Sequence, residues 1–469
     1  MRIFNIHFTK RNTYKMKTNT TRRDFVKTVA VTTAGAAVLP GHLFSRSKKV
    51  NEKVRLAFIG VGLRGQSHVA LACNRSDVEI VVMADINNQM MDMAKGIISK
   101  AGKPMPQIIL GDNQAYRKVF DIKDIDGVII STPWEWHTEM IKESIAAGIK
   151  YVGTEVMLGI TLDDHWEVVK AAESAGAHVM MLENVCYRRD VMAVMNMVRQ
   201  NVFGEIVHLQ GGYQHNLRSV LFSKDKKSGD YIYGPEAFSE AQWRTAHSVH
   251  RNGDLYPTHG IGPCAMMIDI NRGNRFISLS SFDSKARGLH KYVEEQNGAN
   301  GTGTKVRFKC GDMITTNIKC ANGETILLQH DTFVARPYSL GFRVQGTQGL
   351  WMDVSNTVYV DGVSPKYDVW DKADDWLKKY DHPLWKKYGE DSKGAGHGGM
   401  DFFVIHAFVE SIKNGAPTPM DVYDAASWSA ITPLSEKSIE LGNATVEFPD
   451  FTSGNWMLRK QDFALDDRY

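Results

Sequence analysis

The sequence predicts an α/β domain built on a parallel sheet, followed by an α+β domain with a largely antiparallel, open sheet. Three observations carry that expectation. Residues 52–187 alternate short apolar runs with helical patterns, the signature of parallel βαβ units. A glycine-rich turn follows the first of those runs directly. From residue 188 to 469, alternating strand-like segments are separated by Asn-Gly and other Gly-containing turns, which read as hairpins.

The first strand is expected over Val54 to Ile59 in "KVRLAFIGVGLRG", and Gly60, Gly62 and Gly65 come next, ahead of a helical pattern. In that setting G-x-G-x-x-G is a dinucleotide fingerprint. The first glycine permits the turn, the second lets backbone approach a pyrophosphate, and the third lets helix and strand pack closely. A second strand, "VEIVVMADIN", ends with Asp85, twenty residues after Gly65. A carboxylate there accepts hydrogen bonds from a ribose 2′-hydroxyl and repels a 2′-phosphate, so the first domain reads as a Rossmann domain for NAD rather than NADP.

Further strands are expected in "DGVIISTP", "KYVGTEV" and "AHVMMLENV", with helices starting near His137 and over residues 161–175. Ligands of parallel sheets lie beyond the carboxyl ends of the strands. That rule singles out "PWEWH" (133–137), Glu155-Val156 and Glu183-Asn184, with Trp134 and Trp136 placed to wall a nicotinamide pocket.

In the second half, "FGEIVHLQGGYQHN", "KVRFKCG", "MITTNIKCANGETILLQH" and "GFRVQGTQGLWMDV" read as strands and hairpins, covered by helices near 260–271, 400–414 and 422–441. One of these helices is expected to pack back on the first domain. The segment "KADDWLKKYDHPLWKKYGEDSKG" reads as an exposed charged insertion, and Arg188 and Arg189 as a solvated face.

Charge narrows the partners. The formal charge is +3, yet residues 1–50 hold eleven Lys/Arg against one acid, and the remainder counts 45 basic against 52 acidic residues, or −7. An acidic body removes the electrostatic basis for general nucleic-acid binding. The basic leader, residues 1–45, includes "TRRDFVKTVAVTTAGAAVLPG". Its twin arginine (Arg22, Arg23) before a modest apolar run is the order of a twin-arginine export signal, with Met16 an alternative start, and implies a periplasmic or secreted protein. The apolar run is too short and weak to favour a membrane span. Five cysteines (73, 186, 264, 310, 320) form no C-x-x-C, so neither a metal site nor a disulfide framework is signalled. Neighbouring strands could bring Cys310 and Cys320 together, although ordinary core thiols are the simpler reading.

The plan resembles the oxidoreductase family that includes glucose–fructose oxidoreductase and inositol dehydrogenase. In those enzymes the fifth strand is usually followed by Glu-Lys-Pro, whose lysine serves in proton transfer. Here "TEVMLG" places Val156 at that position. The motifs "GLRG", "WEWH", "EVM", "ENVCY", "GGYQHNLR", "YPTHGIGP" and "GHGGMDF" together resemble one branch, glycoside hydrolase family 109, NAD-dependent exo-acting α-N-acetylgalactosaminidases. The resemblance implies NAD contacts at Leu63, Arg64, Asp85, Trp134, Glu135, Trp136, His137, Glu155, Val156 and Asn184. It implies substrate contacts at Tyr213, Arg244, Tyr256, Pro257, Thr258, His259 and Tyr338. The implied partner is a glycan ending in N-acetylgalactosamine, and the open sheet is an expected homodimer surface by analogy with this architecture.

Most glycosidases use two carboxylates, and the NAD-dependent ones are exceptions. The implied route oxidises C3 of the terminal sugar, which makes the C2 proton α to a carbonyl. Elimination of the C1 oxygen, addition of water and re-reduction at C3 then complete a cycle that consumes no cofactor. Imidazole suits such proton transfers near neutral pH, so His259 is the expected catalytic group, with Tyr256 sharing or assisting. The alternatives are an exported NAD-linked sugar dehydrogenase and a sensor that keeps NAD as a structural ligand.

Overall fold

A computed structural model describes residues 53–469; the leader, with its twin arginine, lies outside them. The parallel sheet is assembled from β1 (Val54–Ile59), β2 (Val78–Asp85), β3 (Gln107–Leu110), β4 (Gly127–Ile130), β5 (Tyr151–Thr154) and β6 (His178–Met181). Their spatial order, β3-β2-β1-β4-β5-β6, reverses direction between β1 and β4, the crevice where such sheets bind ligands. The central strands are buried on both faces, β4 and β5 at every residue, while the edge strand β3 is exposed at Gln107 and Leu110.

Between these strands run α1 (Leu63–Cys73), α2 (Asn88–Lys100), α3 (Trp134–Ala146) and α4 (Leu162–Ala175). Helix α3 starts three residues earlier than the sequence suggested, because Pro133 precedes it and fits the helix entry. Helix α4 is bounded by local chemistry: Thr161 and Asp164 form a capping box, and Gly176 closes it in the left-handed conformation at φ 57°.

The second sheet begins with β7 (Ile206–Gln214), which follows α5 (Arg189–Arg199). A short helix, α6 (Arg218–Leu221), and a small hairpin of β8 (Ser223–Lys224) and β9 (Tyr231–Ile232) lead to α7 (Arg244–His250) and α8 (Thr258–Met267). Then come β10 (Phe276–Asp283), α9 (Gly288–Asn297), β11 (Ile314–Cys320), β12 (Thr325–Asp331), β13 (Arg343–Gly346), β14 (Gly349–Met352), β15 (Thr357–Val360) and β16 (Asp371–Lys372). The chain closes with α10 (Asp374–Lys379), α11 (Pro383–Tyr388), α12 (Met400–Asn414), α13 (Val422–Ser429), α14 (Ile431–Glu440) and β17 (Val446–Glu447). The sheet order is β16-β15-β14-β13-β7-β12-β11-β10-β17, and its pairings are antiparallel except β7 with β12.

Helix α12 lies against the parallel sheet. A side chain at Gly127 would meet Ile412 at 2.8 Å and Phe408 at 3.1 Å, and both of those side chains are buried. Arg75 and Asp77, beyond α1, pair with Glu410 and Lys413 of α12. Helix α13 continues the layer, with Met181 donating its N–H to the Met420 carbonyl at 3.0 Å.

Several expectations are corrected. Lys305–Gly311 forms no strand: Lys309 and Cys310 donate their N–H groups to the Ser248 carbonyl, so the segment is tied to the end of α7 instead of a sheet edge. Cys310 and Cys320 are both free and buried, the former against the Gly253 carbonyl. The charged insertion folds into α10 and α11 and buries Ala373, Leu384 and Trp385. The helix expected over 422–441 is two, separated at Ala430. Arg188 is paired with Asp190 and Asp353, and Arg189 with Asp381, so neither is merely solvated.

Candidate active site

A cleft of about 490 Å³ runs along the carboxyl ends of the parallel strands and reaches β7 and α8. At its first end lie Gly60, Gly62, Leu63, Arg64 and Asp85; at its other end lie Tyr213, Arg244, Tyr256 and His259.

The glycine turn is built as the spacing demanded. Gly60 holds φ +84°, and a side chain on Gly65 would stand 2.2 Å from the Gly60 carbonyl oxygen, so Gly65 fixes the approach of α1 to β1. Gly62 is different: a side chain there would meet nothing within 4 Å, only the open cleft. The first turn of α1 has neither a side-chain cap nor an acidic residue, which leaves its N–H groups free for an anion. Asp85 accepts from Val61 N–H at 2.6 Å and Asn87 N–H at 2.7 Å, and burial pushes its carboxyl up. Two of its roughly four acceptor positions are thereby used, and the rest remain for ribose hydroxyls. These residues fit NAD: open space at Gly62, free amides at a helix start, and a carboxylate where the ribose belongs.

Arg64 belongs to a largely buried ionic network. Arg64 bridges Glu155 at 2.7 Å and Asp401 at 2.9 Å. Glu155 also meets His68 Nε2 at 2.6 Å, and Asp401 accepts from Asn184 at 2.6 Å and pairs with His397 Nδ1 at 2.7 Å. Burial drives the Glu155 carboxyl upward, but the Arg64 charge and the His68 hydrogen bond outweigh it and hold the group at about 2. Asp401 is likewise driven upward by burial and held well below the usual range by His397, Arg64 and Asn184.

At the substrate end, glycines do the positioning. A side chain on Gly260 would come within 2.5 Å of Gly212 N, and one on Gly211 within 2.6 Å of the Gly260 carbonyl oxygen. The paired glycines of "GGYQHN" and "THGIGP" therefore let α8 lie directly on β7. That approach sets His259 edge-on to Tyr213, with ring centroids 5.1 Å apart, and to Tyr256 at 4.9 Å. It also brings His259 Nδ1 to Glu183 at 2.7 and 2.9 Å. The Glu183 side chain is fully buried just past β6, so the hydrogen bond assigns the proton to Nδ1 and leaves Nε2 as the free acceptor.

Burial raises Tyr256 well above the ordinary phenol, with the Arg244 charge opposing, and raises Tyr213 in the same way. Both are protonated donors at neutral pH. The Arg244 guanidinium sits 4.6 Å over the Tyr256 ring and 5.4 Å over Trp134, and it is paired with Glu240. Trp134, Trp136, Glu155, Val156 and Asn184 complete the lining named from the sequence.

Six expected site residues do not line the cleft: Gly65, whose role is the packing of α1 on β1, and five others. His137 is buried between the carbonyls of Thr132 and Met157 and ties the start of α3 to the loop after β5. Glu135 points toward His247, at 3.7 Å. Pro257 and Thr258 are buried at the start of α8, where they set the direction of His259. Tyr338 packs at 5.0 Å on His215, which bonds to Tyr213, and so reaches the site through one intervening side chain. From sequence, Glu183 is singled out by its place past a strand but given no role, His397 stands outside the site, and Asp401 and Trp243 are not named. Glu183 follows a strand end and opens "ENVCY", and His397 and Asp401 lie within "GHGGMDF", but nothing local in that segment says that α12 brings Asp401 to Asn184, more than 200 residues earlier in sequence.

Fold and cleft together define an NAD-binding protein of oxidoreductase fold, with a second domain supplying an imidazole- and phenol-lined substrate end. Residues 54–183 match the oxidoreductase family, NAD-binding Rossmann fold, and residues 187–458 match the C-terminal domain of glycosyl hydrolase 109. The chain belongs to glycosyl hydrolase family 109. A family 109 protein of Stenotrophomonas maltophilia is 52% identical over 96% of this chain and 99% of its own. A protein of Tannerella forsythia named alpha-N-acetylgalactosaminidase is 47% identical over 95% of this chain and 99% of its own. Among solved structures, levoglucosan dehydrogenase in complex with NADH and levoglucosan superposes with a TM-score of 0.63 at 17% identity, covering 85% of this chain and 100% of that one. An NAD binding oxidoreductase from Klebsiella pneumoniae gives 0.63 at 16% identity, covering 85% and 99%. At these identities the structural likeness concerns the fold alone.

Proposed function

We propose that the protein is a glycosidase that releases terminal α-linked N-acetylgalactosamine from glycans, with NAD turning over inside the cycle. The observation that carries the reading is the pairing of His259 with buried Glu183 at the sugar end of a cleft where a lysine is replaced by Val156. The named activity of the Tannerella forsythia relative supports the choice of sugar.

Bound NAD⁺ supplies a hydride acceptor for transient oxidation at C3 of the sugar. The chain's own residues do the rest. Nε2 of His259 accepts a proton from the sugar, from the C3 hydroxyl or from C2, and Glu183 stabilises the resulting imidazolium through Nδ1. Tyr256 and Tyr213, held protonated by burial, donate hydrogen bonds to sugar oxygens, and Arg244 fixes the Tyr256 ring from above. Val156 is buried, cannot carry a proton and leaves the proton traffic to His259.

The test uses an aryl α-N-acetylgalactosaminide deuterated at C2, incubated in ordinary water with the purified protein and no added NAD. Phenol release without stoichiometric NADH, together with loss of the deuterium from the sugar product, is the expected result. Accumulating NADH would identify a sugar dehydrogenase instead, and full retention of deuterium during phenol release would exclude elimination.

The twin arginine supports export to the periplasm or beyond. Replacing Arg22 and Arg23 by Lys should leave the protein in the cytoplasmic fraction of the producing cell. Assembly through the open face of the second sheet is the accompanying proposal, and sedimentation velocity measures it.

A further inference from the structure

A second cleft, of about 730 Å³, adjoins the first. His397 lines both and forms part of the wall between them. It belongs to a loop in which Gly396, Gly398 and Gly399 all hold positive φ, and its Nδ1 is anchored by Asp401. Nothing in the mechanism uses this second space.

Its chemistry is that of a saccharide surface. Leu377, Trp385 and Met400 give it an apolar lining. The polar end of Trp385 is spent on the Tyr187 carbonyl at 2.8 Å, so its largely buried side chain gives the cleft only apolar ring surface, beneath the Arg189 guanidinium at 5.5 Å. Arg189 is largely exposed and holds Asp381 through two hydrogen bonds, of 3.0 and 2.7 Å. A guanidinium has five N–H donors, so three stay available for hydroxyl oxygens. The charges balance: Arg188, Arg189 and Lys378 stand against Asp190, Asp353 and Asp381, with Arg188 paired to Asp190 and Asp353 and Arg189 to Asp381. Such a surface offers apolar area to the C–H face of a sugar ring and fixed donors and acceptors to its hydroxyls, with no excess charge to favour an anionic chain.

An exo-acting enzyme seats one terminal sugar in its reaction cleft, and the rest of the glycan must leave by a side that the cofactor does not fill. The shared His397 wall puts the second cleft beside the reaction cleft. We propose that this cleft is the leaving-group subsite and holds the neutral sugar residues next to the terminal N-acetylgalactosamine. The inference rests on the activity proposed above, and the experiment separates the two.

Arg189→Ala and Leu377→Ala are assayed on an aryl α-N-acetylgalactosaminide and on a neutral trisaccharide ending in α-N-acetylgalactosamine. For each variant kcat/KM on the trisaccharide should fall about tenfold, while the aryl substrate changes by less than about twofold. Leu377→Ala leaves the Arg189–Asp381 pair intact, so it stays informative if Arg189→Ala unfolds, and the aryl rate reports folding in both. Equal losses on the two substrates for Leu377→Ala, or no loss on the trisaccharide, would overturn the subsite. If the unmodified protein hydrolyses neither substrate, the activity fails instead.

Discussion

His259→Ala is expected to lower kcat by roughly 10²–10⁴-fold while NAD stays bound, the range for loss of a positioned proton-transfer group. The separation of the two effects follows from the geometry. His259 stands on α8 at the substrate end, whereas Gly62, the start of α1 and Asp85 form the other end. Isothermal titration with NAD and single-turnover hydrolysis by the same preparation check both halves. Glu183→Gln should fall between the wild type and His259→Ala. It keeps the shape of the buried carboxylate but removes the charge that stabilises the imidazolium formed when His259 takes the proton. The double variant should be no slower than His259→Ala alone, because Glu183 acts only through the ring it holds. Near-normal rates for His259→Ala would remove it from the reaction.

Asp401→Ala is expected to cost about 3–5 kcal/mol of stability, as for a buried ion pair that loses one partner. The Asp401 side chain is 1% exposed and serves Arg64, Asn184 and His397 together. Its loss leaves Arg64 with only Glu155 and removes the tie between the start of α12 and α1, while Glu410, Lys413 and the Phe408 and Ile412 packing still hold the rest of that helix. Asp401→Asn tests charge separately from shape. The folded-state carboxyls of Asp401 and Glu155 lie below their unfolded values, so their contribution is complete above about pH 4.5 and is lost as pH falls through the carboxylate range. His68 has the same sign: burial, with the Arg64 charge, lowers its folded value, so it too costs stability as pH drops below about 6.5. His397 has the opposite sign, since its bond to Asp401 raises it, but it is well exposed and contributes less. Melting temperatures should therefore begin to fall below about pH 6.5, as His68 is protonated on unfolding, whereas the gap between wild type and Asp401→Asn should hold down to about pH 4.5 and narrow only below it. A gap that stays constant with pH would show that the charge of Asp401 is not what stabilises the join.

The parts of the site that sequence reading reached share a property: their geometry is set within a few residues. Gly60, Gly62 and Gly65 are placed by one turn, and Asp85 by the end of one strand, so spacing alone identified them. Val156, two residues past β5, was legible as the missing lysine through the resemblance to enzymes in which that strand is followed by Glu-Lys-Pro. Glu183 was visible only as a residue past a strand end, since its partner, His259, lies 76 residues on. Local reasoning went wrong where backbone groups found distant acceptors. Cys310 and Lys309 turned to the Ser248 carbonyl, and the charged stretch around Trp385 buried its apolar residues under Arg189.

The sequence by itself determined the βαβ order, the NAD fingerprint, the absence of the usual lysine and the family to which the chain belongs. These depend on residue type and short spacing, where backbone geometry leaves few choices. Only the tertiary structure decided that "YPTHGIGP" holds a histidine oriented by a buried glutamate, that Asp401 ties α12 to the glycine turn, and that His397 separates two clefts. Each of those facts depends on close contact between segments far apart in the chain. Such contact is fixed by glycines without side chains and by the need to pair every buried charge, conditions met only when the whole core has packed.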